Sequence, residues 1–195
     1  GLLPAVTGNF AKPGAGFLYL NGGGRRGLDG DYLEAPQLRK GEKHKVSHMD
    51  LVATLSDPAK AQALITWNIN IAASNPDQRR LHTVLRDERL FHIAIDPFPT
   101  DTTDFADLVL PAATFLEFDD IVSPYFHLGL SAQAKALEPL GEALPNQEIF
   151  RRLAKAMGYA EPELFEDDRT MLDTLCRQTG LADFARGLVA QGVRL

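Results

Sequence analysis

Hydrophobic and polar positions fall into an orderly pattern between residues 63 and 96. Ala63–Trp67 (ALITW) is a short apolar run, and a polar stretch follows that ends in Ser74, Asn75, Pro76 and Asp77. Leu81, Val84 and Leu85 then recur at the spacing of one helix face, with Arg79, Arg80, Arg86 and Asp87 elsewhere. Residues 90–95 form a second apolar run, closed by Asp96. The pattern predicts strand, turn, helix, strand: a βαβ unit whose strands lie parallel in one sheet. Asn75 is placed to cap the helix, with Pro76 at its first position and Gln78 three residues on, as in a capping box. A helix starting at the carboxyl end of a parallel strand aims free N–H groups at the sheet's crevice, which favours an anion. Asp96 follows Asn75 by about 20 residues, the spacing at which an acid binds ribose hydroxyls in dinucleotide folds. A plainer reading fits the same residues: Asn75 only caps a helix and Asp96 only starts a turn, because the turn has no glycines.

The pattern elsewhere is weaker. Residues 2–8 read as the last turns of a helix stopped at Gly8, and 17–20 as a short strand. Gly22, Gly24 and Gly27 match G-x-G-x-x-G literally, but residues 28–32 make no convincing helix, so the stretch reads as a flexible loop. Residues 34–47 read as a polar surface connection, and Ser47 as the cap of a helix over 48–55. Leu108, Val109 and Leu110 predict a third buried strand, stopped by Pro111. Residues 112–140 lack periodicity and read as a polar loop, although Glu117, Asp119, Asp120 and His127 lie there. Asn146 is read as the cap of a helix over 147–157 with an Ile149, Phe150, Leu153, Ala154, Met157 stripe, ended by Gly158. The tail reads as two helices, around 171–177 and 181–189.

Bulk properties narrow the function. The 195 residues suffice for one domain, or one domain with an appendage. The net charge of −6 argues against non-specific nucleic-acid binding. One cysteine, Cys176, excludes an internal disulfide and any multi-cysteine zinc or iron–sulfur site. His44 and His48 are four apart, as helical metal ligands can be, but read as two solvated histidines. No run is long enough to span a bilayer, and no secretory signal is visible, which suggests a cytoplasmic protein. Residue 1 is Gly rather than Met and the chain opens in a helical pattern, so an excised piece of a longer chain is expected.

Three segments in order resemble a known family. They are LPAVTGN over 3–9 with KPGAG over 12–16; IDPFPTDTTDFADLVLPA over 95–112, with Glu117 after it; and PLGE over 139–142, followed by Asn146 and its helix. Together they resemble the large subunits of molybdopterin oxidoreductases of the dimethyl sulfoxide reductase type, over residues 1–158. The resemblance implies an α/β fold: a parallel-sheet, three-layer, Rossmann-like nucleotide-binding lobe over 47–158. Residues 1–46 would join that lobe, and 159–195 would form a helical tail. It implies a molybdopterin guanine dinucleotide with Mo or W, contacted through the turn holding Asn68, Asn70 and Asn75, through Ile95, Asp96 and Thr100, and through Asn146. Phe118 stands where nitrate reductases of this type have Lys, so no substrate is assigned. No metal ligand or catalytic residue is assigned either. An iron–sulfur cluster, the remaining domains of the same large subunit and an electron-transfer subunit are implied outside this stretch.

Two other readings compete. One is a structural relative without molybdenum, such as the large iron–sulfur subunit of NADH–quinone oxidoreductase. The other is an autonomous nucleotide-binding α/β module, against which the missing glycine-rich phosphate turn argues.

Overall fold

The computed structural model describes residues 2–17, 27–42, 44–123, 125, 129–185 and the backbone of 193–194. The helices are α1 (Leu2–Val6), α2 (Gly30–Glu34), α3 (Leu51–Leu55), α4 (Ile71–Ser74), α5 (Gln78–Leu85), α6 (Asn146–Ala156) and α7 (Asp168–Gln178). The strands are β1 (Ala63–Trp67), β2 (Phe91–Asp96), β3 (Leu108–Pro111), β4 (Asp120–Val122), β5 (Gly129–Gln133) and β6 (Val193–Arg194). They pack as two compact units.

The larger unit, residues 30–120 and 134–171, is built on the βαβ pattern. β1, β2 and β3 form a parallel sheet in that order. Its register sets Ile65, Ile93 and Leu108 in one row and Trp67, Ile95 and Leu110 in the next. Successive side chains alternate between faces. Leu64 therefore packs on one face with Val52 and Leu55 of α3, Ile71 and Ala72 of α4, and Leu81, Val84 and Leu85 of α5. Leu81 is fully buried there, which contributes about 1.5–3 kcal/mol to folding. On the opposite face Ile149 and Phe150 of α6 pack against Ile93, Ile95, Leu110 and Ala112. The Trp67 ring meets Phe150 edge-on at 5.2 Å. Helix, sheet and helix make three layers: the Rossmann-like α/β fold the sequence implies.

Several local expectations change. Asn75 does not cap α5: a separate short helix, α4, occupies the turn, and Asn75 closes it in extended conformation (φ −80°, ψ 149°). Pro76 imposes that conformation on the residue before it. Asp77, at φ 57°, precedes α5 instead, with no side-chain cap. Asn146 is likewise the first residue of α6 rather than its cap, a place Pro145 takes. The Pro145 carbonyl accepts from the N–H groups of Glu148 and Ile149. β3 is not a buried strand; it lies at the sheet edge with Leu108 and Val109 exposed. Residues 30–34 do form one helical turn, α2, and 112–140 hold two strands rather than a loop. The helix expected over 48–55 begins only at Leu51, because the Ser47 hydroxyl accepts from the Met49 N–H in a turn.

The smaller unit gathers the described residues of 1–29, 121–133 and 172–195. Helix α1 ends at Val6, and the turn after it closes at Gly8, whose φ of +66° suits a residue without Cβ. Leu172 and Cys176 of α7 pack with Phe184, Ile121, Ala132 and Leu181. β5 pairs antiparallel with β6. The helix expected around 171–177 is α7. The strand expected over 17–20, apart from Phe17, lies outside the described residues, as do Gly22, Gly24, His127 and the part of the last expected helix beyond 185. Among the described residues no helix is long and apolar enough to cross a membrane.

Candidate functional site

The three parallel strands end toward one side, where open α/β sheets take ligands. Asn68 follows β1 with φ 50° and its N–H donates to the Ile95 carbonyl at 2.9 Å. That bond adds one rung to the β1–β2 ladder, and the Asn68 side chain is exposed. Asp96 ends β2, and its Oδ1 accepts the Phe98 N–H at 3.0 Å, an Asx turn that sets the following loop. Thr100 and Thr103 then bond reciprocally: the Thr100 N–H donates to Thr103 Oγ1 at 2.8 Å, and the Thr103 hydroxyl donates to the Thr100 carbonyl at 2.8 Å. Asn70 reaches this loop from the β1 side, donating from Nδ2 to Asp101 Oδ2 at 3.3 Å.

Asn146 joins from the third strand. Beyond β3, the Ala113 N–H donates to the Leu144 carbonyl at 2.8 Å, and the Leu144 N–H donates to the Pro111 carbonyl at 3.1 Å. This strap sets the start of α6 beside the end of β3. Asn146 Oδ1 is buried and has no hydrogen-bond partner among the described residues.

The fold therefore brings Asn68, Asn70, Ile95, Asp96, Thr100 and Asn146 to the carboxyl end of one sheet. Asn75 has a different setting. It is 5% exposed, with Oδ1 3.0 Å from His48 Nδ1 and Nδ2 donating to the carbonyls of His48 (3.3 Å) and Pro76 (3.1 Å). Gln78 Nε2 in turn donates to the carbonyls of Asn75 (2.6 Å) and Ile71 (2.9 Å). The amide of Asn75 is spent on holding the segment before α3, and its partner His48 is itself exposed, as expected of a solvated histidine.

Two structuring residues escaped the sequence. Thr102 is buried between Asn70 and Ala72. Glu117 accepts the Thr114 N–H at 2.7 Å and the Leu140 N–H at 3.1 Å, tying the loop after β3 to the segment before α6. The Thr114 N–H, and with it that of Leu140, holds the Glu117 carboxyl below its usual range against the effect of burial. In the sequence Thr102 was one of three threonines over 100–103, and Glu117 stood out in the family resemblance and beside Asp119 and Asp120, with no structuring role assigned to either. A cleft of about 530 Å³ is lined by Asp101 together with Arg86, Asp87, Asp104, Phe105 and Asp107 among others, and holds none of Asn68, Asn70, Asn75, Ile95, Asp96, Thr100 and Asn146. Among the described residues no group of three or more His, Cys, Asp or Glu is placed to hold a metal ion.

The sequence pattern of the family described as "Molybdopterin oxidoreductase" matches residues 3–156. The chain is 32% identical over 173 residues to "Probable oxidoreductase YoaE" of Bacillus subtilis, covering 87% of this chain and 25% of that protein. It is 33% identical over 125 residues to the "Nitrate reductase" of Symbiobacterium thermophilum, covering 63% of this chain and 16% of that one. It thus spans a quarter or less of the length of these relatives. Among solved structures it is similar in fold to the acetylene hydratase of Pelobacter acetylenicus, with a TM-score of 0.64, 20% identity, and coverage of 75% of this chain and 20% of that one. The family match covers most of the chain, including every residue gathered at the sheet's carboxyl end: this chain belongs to the molybdopterin oxidoreductase family.

Proposed function

We propose that this chain supplies part of the site for a molybdopterin guanine dinucleotide in a molybdenum or tungsten oxidoreductase, whose intact form carries out two-electron chemistry on a small substrate. One observation carries the reading beyond the family match. Asn146 Oδ1 is a buried acceptor with no partner among the described residues, and such groups are rare without a cause. A guanine base offers the N–H donors that such an acceptor needs. The exposed Asn68 amide and the Asp96 carboxylate suit the polar remainder of a dinucleotide, with Thr100 on the same side, while the Ile95 side chain is buried under α6 and leaves only its backbone at the strand end. The Asn75 amide is already bonded to His48 and Pro76 and holds the segment before α3.

When bound, the cofactor supplies two-electron transfer at its metal, and the protein binds and orients it. In this reading the metal ligand and any iron–sulfur cluster come from other parts of the same large subunit. An electron-transfer subunit is its partner, and the enzyme works in the cytoplasm. The relatives described above carry oxidoreductase names, which favours this reading over a scaffold without molybdenum.

The test is composition. The full reading frame containing this segment is expressed, and Mo, W, Fe and acid-released GMP are measured per chain. Metal with about two GMP per atom supports a bis-dinucleotide enzyme. Iron without Mo, W or GMP overturns it in favour of the scaffold.

A further inference from the structure

Thr102 is 1% exposed and comes from a loop 32 residues beyond Asn70. Its hydroxyl makes two bonds. The oxygen accepts the Ala72 N–H at 3.0 Å, and the proton goes to Asn70 Oδ1 at 2.8 Å. Ala72 lies in the first turn of α4, where backbone N–H groups have no acceptor within the helix. Asn70 precedes that helix yet makes no side-chain cap. The threonine does that work from another loop, and the Asn70 amide is released for other bonds.

The neighbours also decide which end of the amide is which. Nδ2 faces the Asp101 carboxylate, which only accepts. A flipped amide would set oxygen against oxygen at Asp101 and leave the Thr102 proton without its acceptor. Asn70 is therefore fixed with its carbonyl toward Thr102. Nδ2 carries two N–H bonds, one given to Asp101 and the other uncommitted among the described residues. Donor and carboxylate stand side by side, and the Asp101 carboxylate also borders the cleft beside Arg86 and Asp104. A hydroxyl suits that pair, because it accepts from Asn70 and donates to Asp101. A phosphate oxygen does not, because the carboxylate repels it.

We propose that Thr102 is a positioning residue that locks the Asn70 amide as a donor, and that the Asn70–Asp101 pair takes a ligand hydroxyl, such as that of a ribose, rather than a phosphate. This rests on the dinucleotide reading above.

The test uses the full-length holoenzyme and reads GMP retained per metal after dialysis, with thermal unfolding alongside. Thr102→Val, which keeps the shape and removes the hydroxyl, lowers retention by roughly five- to tenfold, the worth of one hydrogen bond. Thr102→Ser restores it. Asp101→Ala, at an exposed position where folding is unaffected, lowers retention severalfold, and this variant carries the test alone if Thr102→Val does not fold. Wild-type retention in Thr102→Val overturns the positioning role and leaves the dinucleotide reading intact. Higher retention in Asp101→Ala means a phosphate sits there and overturns the hydroxyl assignment. A wild-type holoenzyme without GMP overturns both this proposal and the reading beneath it.

Discussion

The two faces of the parallel sheet are made from the same strands and are buried very differently. On the α5 face even polar side chains leave solvent: His92 is 0% exposed and bonds Thr66 Oγ1 at 3.0 Å. On the α6 face Phe91, next to His92, is 50% exposed, and Trp67, next to Thr66, is 53% exposed. Burial here follows what packs on each face and not the polarity of the residue. Helices α3, α4 and α5 close over the first face with Leu81 at the centre. Helix α6 covers the second only around Ile95, Leu110 and Ala112, leaving the row Ile65 and Leu108 and the neighbouring Phe91 exposed.

The largest expected effect comes from breaking the closed face. Leu81→Ala removes a fully buried side chain and leaves a cavity among Val52, Ile71 and Leu85, at a cost of about 2–5 kcal/mol. Phe91→Ala on the open face costs much less, because half of the ring is already in water. Urea unfolding of the 195-residue chain measures both. Equal losses would mean that the two faces are equally buried in solution.

The same contrast marks what could be read from the sequence. β1 and the apolar stripe of α5 were legible to the residue, because both are set by local periodicity. The family was legible in three short segments. Which strand face is covered was not, since FHIAID places its histidine inward and its phenylalanine outward. Helix α4 was hidden in a polar turn of only four helical residues. The partners of the candidate residues were hidden by distance along the chain: His48 lies 27 residues from Asn75, and Thr102 lies 32 residues from Asn70. The residue types that gather at the sheet's end were thus visible, and the bonds that leave Asn70 available and Asn75 spent were not.

A second effect on the closed face comes from His92 and depends on pH. Burial pushes its imidazole below the ordinary histidine range, while the Phe105 backbone and the Asp107 carboxylate oppose the shift. The folded protein therefore holds His92 neutral at pH values where the unfolded chain is already protonated. Its contribution is fully present above about pH 6.5 and is lost as pH falls from there through the lowered folded value. The urea midpoint should be flat above pH 7 and fall on acidification, and His92→Gln should shrink that fall. A wild-type midpoint that rises on acidification would contradict this account.

A smaller effect tests the covered part of the second face. Trp67 and Phe150 meet edge-on, and such pairs add about 0.5–1.5 kcal/mol beyond their burial. A double-mutant cycle of Trp67→Leu and Phe150→Leu should return a coupling energy of that order. A coupling of zero would mean that α6 does not hold Phe150 against the end of β1.

The smallest expected effect belongs to the open row. Ile65 is about half exposed and sits opposite Ile93, on the face away from α5. Ile65→Thr keeps the β-branched shape that strands favour and exchanges a methyl-bearing arm for a hydroxyl that water can reach. No buried polar group is created, so the loss should stay within about 0.5 kcal/mol, as at other surface positions. Thr66→Val, one residue along, makes an equally small change of shape on the other face. There it removes the hydroxyl that His92 bonds, and the buried imidazole loses a partner, at a cost of about 1–3 kcal/mol. Adjacent substitutions of opposite chemistry thus separate the faces cleanly. If Ile65→Thr proved the costlier of the two in urea unfolding, the assignment of open and closed faces would be reversed.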